Sequence, residues 1–159
     1  MKKFYLGLLV GIGIGVALYW IVTHRSYDEA FYFPEGFEGC SYVVYDLEGT
    51  PPLEIQDGAI QYRFNREGLV LTSSPQDFGW EGRDHSGMHK SSYTYVNEQG
   101  EKTSEIPNSE IGFVSLGSYS VNGRTQITRL SVPLKETAEV CDLAYEELER
   151  KLDGKLGPN

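Results

Sequence analysis

The stretch from Ser73 to Lys90, SSPQDFGWEGRDHSGMHK, gathers Asp84, His85, Ser86 and His89 beside Glu81 and Trp80. His85 and His89 stand four apart, a spacing that puts two imidazoles on one helical face for a zinc ion. Gly82 and Gly87 oppose a helix there, and no third ligand lies at a matching distance. Asp84-His85-Ser86 has the residue types of a nucleophilic triad, but the fold, not adjacency, assembles triads, and the serine lacks its elbow glycines. The loop therefore reads as exposed and irregular. The alternative is an exported enzyme or metal-binding protein that uses Asp84 to His89. Phe78 and Trp80, with His85 and His89, could form a contact patch for a partner, unless the aromatics tuck into the edge of the fold. No dinucleotide fingerprint, phosphate loop or calcium loop occurs, so no cofactor and no metal is expected.

Two cysteines, Cys40 and Cys141, are 101 positions apart. In an oxidising exterior such a pair can be bridged, closing a loop worth about 4–5 kcal/mol in the chain-entropy model. Otherwise each acts as a small buried apolar residue.

The elements that must carry these residues are strands. Cys40–Tyr45, Ala59–Phe64, Leu69–Thr72 and Ser91–Val96 are short β-branched, aromatic or alternating runs set between turn signals. Phe113–Val121 and Arg124–Val132 flank Asn122-Gly123, a pair suited to a type I′ hairpin turn. The alternation slips near Gly117, which predicts a bulge or bend there. From Glu136 to Leu152 the period changes. Cys141, Tyr145, Leu148 and Leu152 fall on one helical stripe, acids precede Arg150 and Lys151, and Gly154 is the stop. The expected fold is mainly β, a small antiparallel sandwich over 31–135 with one C-terminal amphipathic helix over 136–153.

Before it, Lys2 and Lys3 precede an uncharged run from Phe4 to Val22, and His24-Arg25 follows. Nineteen residues at helical rise span about 28 Å, close to a bilayer's hydrocarbon thickness. The run predicts an uncleaved transmembrane helix over 4–22, with residues 1–3 a cytoplasmic stub and 23–30 a polar linker. A cleaved export signal is the rival, but the apolar run continues past the loose small-residue site at Gly15-Val16-Ala17. The lysines favour N-terminus in and the C-terminal domain outside the cell membrane. Gly7, Gly11 and Gly15 recur every fourth residue, a smooth stripe that could admit a membrane-helix partner or dock an accessory subunit.

Setting Lys2 and Lys3 aside leaves 12 basic against 23 acidic residues, a formal charge of −11. A surface so acidic repels phosphate backbones, which argues against nucleic-acid partners, and repels anionic headgroups as well. The partners expected are the bilayer, through 4–22, and a further envelope protein.

The segment Phe33-Pro34-Glu35-Gly36-Phe37-Glu38-Gly39, strand Ser41–Tyr45 and Gly49-x-Pro51 resemble a family of uncharacterised bacterial exported domains, DUF6843. The likeness continues through Gly68–Ser73, Phe78-Gly79-Trp80, Tyr93-x-Tyr95 and Gly100-Glu101-Lys102. It covers Phe31 to about Pro107. The resemblance implies an exported, membrane-tethered β domain, but no activity and no catalytic residue. This chain departs from lipoprotein-type members in having no lipid-acceptor cysteine after the apolar run. The strand and turn order also resembles transthyretin-like sandwiches, an analogy of fold alone. The reading as a whole is a single-pass anchored β domain that serves binding or envelope structure without catalysis.

Overall fold

Ala30-Phe31-Tyr32-Phe33 is a continuous buried run, the pattern of a strand covered on both faces. In the structure, a computed structural model describing residues 11–16, 19, 27–79, 89–121, 125–136, 140 and 141, it forms the centre of β1, Asp28–Pro34. The remaining strands are β2 Gly39–Val44, β3 Glu54–Gln56, β4 Ala59–Arg63, β5 Leu69–Leu71, β6 Ser91–Val96, β7 Lys102–Glu105, β8 Ser115–Val121 and β9 Thr125–Leu134. The segment expected to be a linker therefore enters the sheet at Asp28.

Two sheets result, one in the order β3-β4-β1-β6-β7 and one in the order β5-β2-β9-β8. The fold is mainly β and two-layered, but the antiparallel plan expected from the sequence is corrected. β1 runs parallel to both β4 and β6, and β2 runs parallel to β5. The physical reason is the path of the chain. Between β1, β4 and β6 it crosses to the other sheet and returns, so each hairpin arrives beside β1 pointing the same way. Local turn signals carry no record of such pairings.

The β3-β4 hairpin pairs Gln56 with Ala59 across Asp57-Gly58. Both turn residues have positive φ, as a type I′ turn requires. In the β8-β9 hairpin Val121 pairs with Thr125, so three residues, 122–124, separate the paired ends instead of the two expected. No bulge occurs at Gly117, which pairs in register with Arg129; the register shift lies instead between Tyr95 and Val96.

One core joins the two sheets. Phe31, Phe33, Ile60, Tyr62 and Phe64 from the first layer meet Val43, Tyr45, Val70, Val132 and Leu134 from the second. Phe33 stacks on Phe64 with ring centroids 4.5 Å apart, and Phe31 lies 4.7 Å from Tyr62 and 5.0 Å from Tyr93. On the outer face of β1, Tyr32 receives the Arg63 guanidinium 4.5 Å from its ring centroid.

Behind the second sheet Tyr42, Val44, Leu47 and Leu69 form a smaller cluster. Cys40 on this face is disulfide-bonded to Cys141, and Tyr42 Oη donates to the Cys141 carbonyl at 2.7 Å. Val140 and Cys141 are helical, whereas Glu136, expected to begin the helix, is a bend; most of 136–153 lies outside the described residues. The same holds for most of 4–22. Gly11–Val16 and Tyr19 are helical, and among the described residues no helix is long and apolar enough to cross a membrane.

Replacing Phe33 by alanine removes a wholly buried ring and is expected to cost about 3–5 kcal/mol of unfolding free energy. Phe113, 74 % exposed, is expected to tolerate alanine within about 0.5 kcal/mol. Urea unfolding of the two variants checks both values, and equal losses would contradict this core assignment.

Candidate functional site: a tyrosine-floored cavity between the sheets

Strand alternation puts Glu29, Phe31 and Phe33 on the inward face of β1. Their register partners extend this as rows across the sheet. Glu29 lies between Ile60 and Ser91, and Phe31 between Tyr62 and Tyr93. The core thus changes from aromatic to polar towards the start of β1. Tyr45, the residue after β2, enters the same end from the opposite sheet. There the layers leave an open cavity of about 240 Å³, lined by Glu29, Tyr45, Tyr62, Gln76, Asp77, Leu116 and Leu130.

The loop bearing Gln76 and Asp77 is pinned at its root. Thr72 Oγ1 donates to the Pro51 carbonyl at 2.9 Å, and Ser74 Oγ accepts the Leu53 N–H at 2.9 Å. The Phe78 N–H then closes a turn onto the Pro75 carbonyl, which sets Gln76 and Asp77 at its exposed tip.

Tyr45 and Tyr62 are each 3 % exposed, with hydroxyls 3.5 Å apart. Burial drives the Tyr45 phenol far above its ordinary range, and the adjacent Tyr62 and the Glu29 charge add to this. Burial first, then Glu29, pushes Tyr62 up to about 12, against the opposing effect of the bond from Tyr45. Tyr93 is raised by burial as well. At neutral pH these phenols are hydrogen-bond donors, not bases.

Glu29 accepts a bond from Ser91 Oγ at 3.0 Å and lies 3.5 Å from His89 Nε2. The serine proton is therefore committed to a carboxylate, which is not the serine–imidazole geometry of an activated nucleophile. Among the described residues no group of three or more His, Cys, Asp or Glu is placed to hold a metal.

The residues singled out in the sequence are distributed unevenly. His89 joins the rim of this site through Glu29, while Phe78 is half-buried against the main core and serves as packing. Trp80, Asp84, His85 and Ser86 lie outside the described residues, as does Gly7; Gly11 and Gly15 are helical. The tyrosines and Glu29 were missed because each reads as an ordinary strand residue. One signal was available: Glu29 shares the alternation of Phe31 and Phe33, which marks an acid on a core row.

A second, wider cleft of about 1010 Å³ opens where β1, β4 and β6 end together, around Glu35, Phe37, Arg66 and Glu98. The Pro34–Phe37 turn closes by the Phe37 N–H onto the Pro34 carbonyl, with Gly36 at φ 76° where a side chain would be strained. Two of its acids are paired, Glu98 with Arg66 and Glu38 with Lys135. The bond to Glu38 holds the Lys135 ammonium above its usual range. Exposed pairs of this kind are worth little to stability.

A family model described as "Family of unknown function (DUF6843)" matches residues 25–142. The chain belongs to the DUF6843 family. The match takes in all nine strands of the described residues and both cysteines, extending well beyond the Phe31–Pro107 likeness visible in the sequence. Among curated proteins, none matches this DUF6843 chain. A crystal structure named "Putative Lipoprotein from Bacillus anthracis" resembles it with a TM-score of 0.62 at 23 % identity, covering 83 % of this chain and 95 % of that one. At that identity the likeness is one of fold.

The raised tyrosines stabilise the fold fully below pH 10.0, and this contribution is lost as pH climbs towards about 12. The sign follows because the folded state holds protons that the unfolded chain releases. Alkaline titration of phenolate absorbance is expected to show late-ionising tyrosines coincident with unfolding. Tyr62→Phe should flatten the fall in stability between those pH values, and an unaltered slope would contradict the assignment.

Proposed function

We propose that this DUF6843 domain is an extracytoplasmic binding or envelope-structural module, held at the cell membrane by its apolar leader and acting without catalysis. The observation that carries the reading is the Cys40–Cys141 bond, with Cα atoms 5.3 Å apart, which fastens the C-terminal segment behind the second sheet. Disulfides of this structural kind persist in oxidising exteriors and are rare in reducing cytosol. The apolar run from Phe4 to Val22 lies shortly before the domain, with Lys2 and Lys3 at its N-terminal end. Where it is described, Ile12, Ile14 and Val16 project from the helix without cover from the rest of the chain, as suits lipid contact. The similar protein from Bacillus anthracis carries a lipoprotein's name, and a tethered β domain fits that company. Binding without catalysis is supported by phenols that stay protonated at neutral pH and by a serine already engaged with Glu29.

In intact cells, added protease is expected to degrade the domain while the leader stays in carbonate-washed membranes. Recovery of full-length chain in the soluble fraction would overturn the anchoring. Thiol alkylation should label neither cysteine until reductant is added. Cys40→Ser is expected to lower unfolding free energy by about 4–5 kcal/mol, a figure set by the length of the closed loop.

A further inference from the structure

We infer that the cavity between Tyr45, Tyr62 and Glu29 is a binding site for a small hydroxylated amine, a molecule joining an ammonium group to an oxygen acceptor on a short frame. The inference does not depend on where the domain resides.

The floor dictates the acceptor. Two phenols at 3 % exposure lie 3.5 Å apart and can share one hydrogen bond. Whichever of them donates, one O–H proton is left over, and among the described residues neither hydroxyl has another partner. A buried donor without an acceptor is costly, so an occupant that presents a lone pair there is favoured. Both phenols pack with their rings in the core and also line the cavity.

The rim dictates the charge. Asp77 has no partner among the described residues, and Glu29 uses Oε2 for Ser91 and His89, which leaves Oε1 uncommitted. Gln76 adds an amide, and among the described residues no basic side chain lines the space. Carboxylates at the mouth with donor hydroxyls at depth select a cation that carries an oxygen, oriented with the oxygen inward. Leu116 and Leu130 supply an apolar wall for its carbon frame.

The size excludes large ligands. About 240 Å³ is below the usual range for drug-sized pockets and equals the share of about eight liquid waters. A single sugar ring or a short chain fits; a polymer could enter only by one such unit at its end. Both an amino sugar and an open-chain amino alcohol carry the required groups.

Titration calorimetry on the full chain in detergent, with glucosamine and ethanolamine as probes, tests the site. At least one is expected to bind, the ring probe pointing to an amino sugar and the open-chain probe to an amino alcohol. The neutral counterparts glucose and ethylene glycol should bind at least about tenfold more weakly, and so should the probe to Asp77→Asn, an exposed change that leaves the core intact. Tyr62→Phe, with its fold checked by thermal melting, should weaken binding about fivefold. Glu98→Gln in the other cleft should leave it unchanged. Failure of both amines to bind, equal binding of the neutral compounds, or full affinity in Asp77→Asn would each overturn the proposal.

Discussion

Everything in this domain is arranged around the requirement that β1 be covered on both faces. A strand reading Ala-Phe-Tyr-Phe cannot sit at a sheet edge without exposing aromatic surface and unpaired backbone together. It is therefore flanked by β4 and β6, roofed by the second sheet, and capped on its outer face by the Arg63 guanidinium over Tyr32. The parallel pairings follow, because only crossovers can bring two hairpins to the same central strand in one direction. The polar cavity follows too. The inward row of β1 begins with Glu29, and a carboxylate on a core row obliges the layers to part and admit polar company.

Much of the fold was legible in the sequence, and what was missed has specific causes. Ser91–Val96 was read to the residue, and Ala59 and Leu69 begin their strands as expected, because alternation and turn residues are local signals. β1 was not read as a strand: its first residues, to Ala30, were assigned to the linker, and Phe31-Tyr32-Phe33, apolar on both faces, lacks the polar alternation that marked the other strands. β3 and β7 were missed for the opposite reason. Short, exposed and charged, they look like loop, which is also how they keep the edges of the first sheet from pairing with other chains. The hairpin at Asp57-Gly58 carried the same kind of signal as Asn122-Gly123 and would have revealed β3.

The candidate site was less legible, and for a general reason. Attention to histidines and serines led to the loop after Ser73, whereas the groups that converge are two phenols and a glutamate drawn from β1, β4 and the end of β2. Nothing in their spacing, 29, 45 and 62, marks them as neighbours. Only the layer arrangement brings them together, and only burial gives the phenols their altered chemistry. His89, singled out in the sequence, lies beside Glu29.

The second sheet is stitched from opposite ends of the polypeptide: β2, near the beginning of the domain, takes β9 as its neighbour, and Cys40 waits for Cys141. As the ribosome makes the chain, the early strand can take β5 on one side before half of the chain exists, but its other neighbour, β9, is made only near the end. Partial products lack β9 and the second cysteine, so the second sheet is completed, and the disulfide can form, only when the last strand and the second sulfur emerge.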